Sequence, residues 1–225
     1  MRKLLLMVIA GICTASFGQV NETRNVGPFK GIKSSQAIDV YLKKGDKESV
    51  RVESPNLKSS DVITEVSGSY LKIRMDDGNY RNKSVKVYVT YVSLNKLSAS
   101  SASNIFSDGP ITATAMELSA SSAASIEISL QSDEVTLEAS SAGDIVLEGK
   151  CKRIDVEASS AGDVDAYNFE SEIAEVNVSS AGSAKVMVTK EINAHASSGG
   201  SIRYRGNPER SNTDSSSGGS VKKSN

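Results

Sequence analysis

The sequence predicts an all-β protein: a parallel β-solenoid (β-helix) of about seven coils with an N-terminal β-strand subregion stacked on it. Three observations predict this. A phrase returns at a near-constant interval, apolar and polar residues alternate around it, and glycine recurs where a helix would resist it.

The seven residues EASSAGD occupy positions 138–144 and return at 157–163. Looser copies extend the series: LSASSASNI from Leu97, LSASSAASI from Leu118, LEASSAGDI from Leu137, VEASSAGDV from Val156, VNVSSAGSA from Val176, AHASSGGSI from Ala194 and TDSSSGGSV from Thr213. Their first serines, Ser100, Ser121, Ser140, Ser159, Ser179, Ser197 and Ser216, are 21, 19, 19, 20, 18 and 19 residues apart. A unit of that size cannot bury its own apolar face and must lay it on its neighbours, so the period predicts stacking.

Within a copy the period is two. Val135, Leu137 and Ala139 alternate with Thr136, Glu138 and Ser140; past the Ala142-Gly143 corner, Ile145 and Leu147 alternate with Asp144, Val146 and Glu148. That is strand, corner, strand. Gly143, Gly162 and Gly182 would each weaken a helix. Stacked at the ~4.8 Å strand spacing, seven coils make a rod roughly 30 Å long. Stacking sets like upon like and so demands the repetition. Ala99, Ala120, Ala139, Ala158, Val178 and Ala196 are expected as one inward ladder, and Ile105, Ile126, Ile145, Val164, Ala184, Ile202 and Val221 as another. The second serines, Ser101 through Ser217, are expected as a hydroxyl ladder at the corner. Gly143, Gly162, Gly182, Gly200 and Gly219 are expected to supply φ values that other residues resist.

Residues 19–95 read as a β subregion out of phase with the repeat, which caps the solenoid and continues its sheets, while 96–225 carry the coils of the same domain. Alternation at Ile38-Val40-Leu42, Val50-Val52, Leu71-Ile73-Met75 and Val85-Val87-Val89 gives four or more strands. Ahead of these, Arg2 and Lys3 precede an apolar run from Leu4 to Ile12 and the small-residue exit Ser16-Phe17-Gly18. This is the pattern of a secretory signal peptide, residues 1–18, cleaved before Gln19. The alternative is a lipoprotein acylated at Cys13, since Ala10-Gly11-Ile12-Cys13 loosely matches a lipobox. Export places the mature chain in the periplasm, the outer envelope or the cell surface. No second apolar segment follows, so no transmembrane segment is expected in the mature chain.

With 26 basic and 27 acidic residues the net charge is −1, which predicts no nucleic-acid partner. Trp is absent and aromatic residues make up 5% of the chain, so the core must be built from small side chains. Once Cys13 leaves with the signal peptide, Cys151 has no disulfide partner and reads as an incidental turn or edge residue.

The residues Phe29-Lys30-Gly31-Ile32, the strand Ala37-Ile38-Asp39-Val40-Tyr41-Leu42 ahead of Gly45-Asp46, the strand Val85-Lys86-Val87-Tyr88-Val89, and the SASSA and SSAGD phrases together resemble the head GIN domain family of putative autotransporter adhesins. The resemblance covers nearly the whole mature chain. It implies a β-helical exported envelope protein, brings no motif of binding residues, and includes no barrel-forming segment.

Three side-chain sets have the composition of a site. Asp144 with Asp163, and Glu138 with Glu157, fall at equivalent positions in adjacent coils. The ladder positions of the aspartates continue as Asn104, Ser125, Ser183 and Ser201, so the acids read as solvated turn carboxylates rather than a metal or catalytic pair. The SSAG serines lack a base partner, because the single histidine, His195, sits at an outward position with nothing to serve. Tyr41, Tyr88, Tyr167 and Tyr204 would stack on sugars if they shared one face. The expectation is therefore no catalytic, cofactor-binding or metal residue, no cofactor, and an unidentified ligand-binding surface. The predicted function is a non-catalytic, adhesin-like binding module for an envelope or surface ligand, glycan among the candidates. A self-associating structural envelope component, pairing through the solenoid end, is the alternative; a polysaccharide-acting β-helix enzyme is a distant third.

Overall fold

The structure, a computed structural model, describes residues 20–55, 57–78, 80 and 84–224. The expected signal segment, its cleavage site and Cys13 lie outside the described residues.

The repeat region is a parallel stack of strands, the short β8 (Lys96–Ala99) followed by the long β9 (Asn104–Ser121), β10 (Ser125–Ser140), β11 (Asp144–Ala158), β12 (Asp163–Val178) and β13 (Ser183–Ala196). The last coil is broken into β14 (Ser201–Arg205), β15 (Arg210–Ser215) and β16 (Ser220–Lys223). Neighbouring coils pair in parallel, with Ala120 opposite Ala139, Ala139 opposite Ala158, and Ile126 opposite Ile145. Both predicted apolar ladders point inward and are buried, Val221 at the far end only partly. Each coil has two flat sides. The breaks in the last coil mark this: β14 extends one half of β13 and β15 the other.

The corners differ from expectation in two ways. Positive φ falls on the second serine and the alanine, 50° at Ser141 and 59° at Ala142, and on Gly199 and Gly218 where alanine is replaced. Gly143, Gly162, Gly182, Gly200 and Gly219 do not carry it. The N–H of Gly143 closes the turn onto the Ser140 carbonyl at 2.8 Å, so each corner has the form of a type I′ turn built from Ser-Ala. These five glycines serve close approach instead: a Cβ on Gly143 would lie 2.2 Å from the Ala120 carbonyl oxygen one coil back. The second serines also depart from expectation. They are exposed, and their carbonyl oxygens, not their hydroxyls, carry the ladder. Ala123 donates to Ser141, Ala142 to Ser160 and Ala161 to Ser180, at 3.1–3.2 Å. An αL pair turns the main-chain N–H and C=O along the rod axis, where the next coil satisfies them.

The N-terminal part contains β1 (Val20–Arg24), β2 (Gly31–Ser34), β3 (Asp39–Lys44), β4 (Ser49–Ser54), β5 (Val62–Ser67), β6 (Tyr70–Met75) and β7 (Lys86–Tyr91), with one 3-10 turn at Ser59–Asp61. It is not wholly out of phase with the repeat. Between β2 and β3, Gln36 and Ala37 have φ of 66° and 56°, and the Ala37 N–H donates to the Ser101 carbonyl at 2.9 Å. Ser35-Gln36-Ala37-Ile38-Asp39-Val40 is therefore an eighth corner. That coil is threaded between two later ones, β2 lying between β6 and β8, and β3 between β7 and β9.

Antiparallel strands close this end, β4 and β1 beyond β7 on one side and β5 beyond β6 on the other. Arg24 ties the two edges together. Its Nη1 donates to the Val62 carbonyl at 2.6 Å and to Thr64 Oγ1 at 2.9 Å, and its Nη2 to the Ser59 carbonyl at 2.6 Å. At the other end the inward positions turn polar. Ser211, Thr213 and Ser215 of β15 stand opposite Ile192, Ala194 and Ala196. Tyr204 packs on the end of the core, its hydroxyl 3.4 Å from Ser211 Oγ.

Candidate functional site

The side of the solenoid formed by β1, β4, β7, β3 and β9 presents one outward row in direct register: Thr23, Arg51, Tyr88, Tyr41 and Phe106. Parallel pairing stacks the rings. Tyr41 lies 5.2 Å from Tyr88 and 5.3 Å from Phe106, with interplanar angles of 20° and 24°. The Arg51 guanidinium covers the free face of Tyr88 at 4.1 Å and is ion-paired to Glu53. Because the faces are taken up by each other and by Arg51, the rings turn their edges outward.

A second outward row two residues on consists of Ser49, Thr90 and Lys43, again in register. Between the rows lies a groove of about 730 Å³. A bulge closes one end: Phe106 still pairs with Glu127, but the next pair is Pro110 with Ser129, so residues 107–109 stand out of the ladder with β10, Ser107 keeping its pairing with Leu42 on β3. Gly109 allows this with φ of 92°, and Ser107 Oγ accepts the Ser129 N–H at 3.0 Å. The bulge aims the exposed Asp108 at the groove.

Of the four tyrosines singled out from sequence, Tyr41 and Tyr88 come together here. Tyr204 seals the core end, and Tyr167 lies on the far coils, under Arg205 at 4.1 Å, with its hydroxyl donating to Ser224 Oγ at 3.0 Å. Phe106, Arg51, Lys43 and Asp108 were not anticipated. The signal for Phe106 was present: aligning Ser35–Tyr41 with Ser100–Phe106 sets both rings at the same outward position.

The acidic pairs do stack, Asp144 on Asp163 and Glu138 on Glu157. Partial burial raises the Asp144 carboxyl above its ordinary range, and the neighbouring Asp163 and Asp165 charges raise it further, against a lowering by Lys185. Among the described residues no three acids, histidines or cysteines gather to hold a metal. His195 is exposed as expected, yet its Nδ1 lies 3.0 Å from Asp214 Oδ2 one coil on. Cys151 is neither turn nor edge: it is buried in β11, and burial pushes its thiol up to about 12.

Fold and groove together define a capped parallel β-solenoid with a furnished outer face. The chain belongs to the family described as putative auto-transporter adhesin, head GIN domain, which matches residues 28–208. Its fold is that of a putative adhesin from Bacteroides fragilis, at a TM-score of 0.83 and 18% identity over 92% of this chain and 97% of that one. A putative adhesin from Parabacteroides merdae is similar, with a TM-score of 0.73 and 15% identity over 92% and 96% of the two chains. So is a putative lipid binding protein from Parabacteroides distasonis, with a TM-score of 0.68 and 21% identity over 91% and 97%. No curated protein matches the sequence. No helix among the described residues is long and apolar enough to cross a membrane.

Proposed function

We propose that the protein is an exported, non-catalytic binding module of the cell envelope or surface, and that its ligand face is the groove beside Tyr88, Tyr41 and Phe106. One observation carries this reading: three large rings are held partly exposed and stacked across adjacent strands, although the core takes in other large side chains such as Phe29, Tyr91 and Phe169. Aromatic area left at the surface of a rigid sheet is costly unless a ligand covers it. Membership of an adhesin family points the same way.

An enzyme is disfavoured by the groove's chemistry. Among the described residues Asp108 is the single carboxylate lining it, whereas glycoside hydrolysis ordinarily requires two acids flanking the bond. The alternative of a self-associating component draws on the free edge of β16. There Ser220 and Ser224 donate inward to Gly200 and Tyr204, so the alternate N–H groups of Val221 and Lys223 face outward. The polar inward row of β15 opposes end-to-end stacking.

The test is binding of the purified protein to isolated envelope material, beside a variant whose groove is filled by Ser49→Arg and Thr90→Arg. The filled variant should keep its melting temperature and lose binding. Equal binding by both proteins removes the groove from the function.

A further inference from the structure

We propose that this groove takes an extended oligosaccharide, laid along the rod axis with about one pyranose ring per strand; this rests on the groove being the ligand face. Its direction supplies the first argument. The row from Thr23 to Phe106 crosses five adjacent strands, a run of roughly 19 Å at the ~4.8 Å strand spacing. Anything lying in it meets an equivalent side-chain position at every strand step. An extended chain of pyranose rings advances by about one such step per sugar. An extended peptide advances by only ~3.3 Å per residue and pairs along a strand edge rather than across strands.

The second argument is the inventory of unspent polar groups. The Tyr41 and Tyr88 hydroxyls, the Ser49 and Thr90 hydroxyls, Lys43 Nζ and the Asp108 carboxylate all line the groove. None makes a hydrogen bond or ion pair within the described protein. They provide donors and acceptors on both walls, the phenol hydroxyls along one and the hydroxyls with the ammonium along the other, matching a ligand that carries hydroxyls on both sides of its chain. The ring edges between them offer apolar contact to sugar C–H groups. An acyl chain would leave these polar groups without partners on desolvation, which costs affinity at each one.

Charge supplies the third argument. Arg51 is neutralised by Glu53, and Lys43 and Asp108 contribute one charge of each sign to the groove lining. The favoured ligand is a neutral oligosaccharide.

The experiment is calorimetric titration with β-1,4-linked glucose and N-acetylglucosamine oligomers of two to six units, beside phosphatidylglycerol vesicles and dodecanoate. The expected result is saccharide binding that tightens with length and levels off near four or five units, as the groove fills. Tyr41→Phe with Tyr88→Phe keeps the ring stack and removes both hydroxyls. It should weaken binding about tenfold or more, whereas Tyr167→Phe should leave it unchanged. Binding of the vesicles or dodecanoate alone, or saccharide binding independent of length and of the two hydroxyls, overturns the proposal. If the filled-groove variant loses envelope binding while no oligomer binds the native protein, the ligand class is wrong and the groove stands.

Discussion

The Gly143 N–H closes its corner onto the Ser140 carbonyl at 2.8 Å, whereas the same bond from Ala124 to Ser121 is 3.3 Å long. Ser103, which also carries a Cβ at this position, bonds Ser100 at 3.2 Å, and the other four glycine corners hold 2.8–2.9 Å. The side chain pries the turn open because the coil behind it is already in contact. Gly143→Ala should therefore cost about 1 kcal/mol, because its Cβ forces the corner to widen toward the Ala124 form, while Gly143→Val and Gly162→Val should each cost more, roughly 1–3 kcal/mol, through overpacking. Denaturant midpoints decide it; valine variants as stable as the native protein would show that the close approach is not tight.

The corners also hold serine and alanine in a conformation that L-residues resist. A type I′ turn favours Asn-Gly, and Gly199 and Gly218 already stand where other coils have alanine. Combining Ser141→Asn with Ala142→Gly should stabilise by about 1 kcal/mol, the relief of αL strain less the added freedom of the unfolded chain. Ala142→Val should destabilise by about 1–2 kcal/mol or more, because a β-branched residue is poorly accommodated there. A melting temperature that falls with the Asn-Gly pair would contradict the assignment of strain.

Asp144 gives a pH dependence of definite sign. Its folded carboxyl is raised above the unfolded value by burial first and by Asp163 and Asp165 second, so folding binds protons there. The carboxylate opposes folding at neutral pH, and that penalty fades as pH falls through the raised value. Replacing Asp144 and Asp163 with Asn, and Glu138 and Glu157 with Gln, should leave stability at pH 7 equal or higher and flatten the profile on the acidic side. Calcium should shift the melting point of neither protein. A marked calcium stabilisation, lost in the fourfold variant, would make the ladder a metal site.

Much of this architecture was legible in the sequence because stacking copies its requirements from coil to coil. The inward ladders follow from alternation alone, and register follows from the serines. Less legible was the coil at Ser35–Val40. It shares only part of the phrase, and its spatial neighbours are supplied by β6–β7 and β8–β9, far along the chain. The groove was hidden for the same reason. Tyr88, Tyr41 and Phe106 meet only because the first coil is threaded between later ones, and no local pattern announces that crossing. The corner glycines were misassigned because a glycine in a turn suggests positive φ, while contact with the preceding coil is a tertiary fact.

Arg24 offers a test of the N-terminal closure. Its guanidinium, 18% exposed, bonds to main-chain and side-chain oxygens of Ser59, Val62 and Thr64 across the end of the rod. Arg24→Ala should cost about 2 kcal/mol, since charged hydrogen bonds to partly buried acceptors are lost, and amide exchange should quicken first in β1 and β5. Arg24→Lys should recover little, because a single ammonium cannot span both edges. Uniform exchange along the whole rod would mean that the clamp is not local.

The last coil governs whether rods join. A solenoid ending on an apolar inward row would stack end to end, because its next ladder position is an open hydrophobic surface. Here Ser211, Thr213 and Ser215 occupy that row where β13 has Ile192, Ala194 and Ala196, and Tyr204 lies across the core beneath them. The native protein should sediment as a monomer. Ser211→Ile with Thr213→Val and Ser215→Ala should restore the apolar ladder and drive concentration-dependent association. Adding Val221→Pro to that variant should reduce the association while sparing the fold, since the Val221 N–H faces the free edge and has no bond in the coil to lose. Sedimentation velocity across a hundredfold range of concentration, a span of about 2.7 kcal/mol in association free energy, separates the outcomes. A native protein that already assembles, and does so less with Val221→Pro alone, would mean that the edge of β16 outweighs the polar row and that self-association belongs to the function.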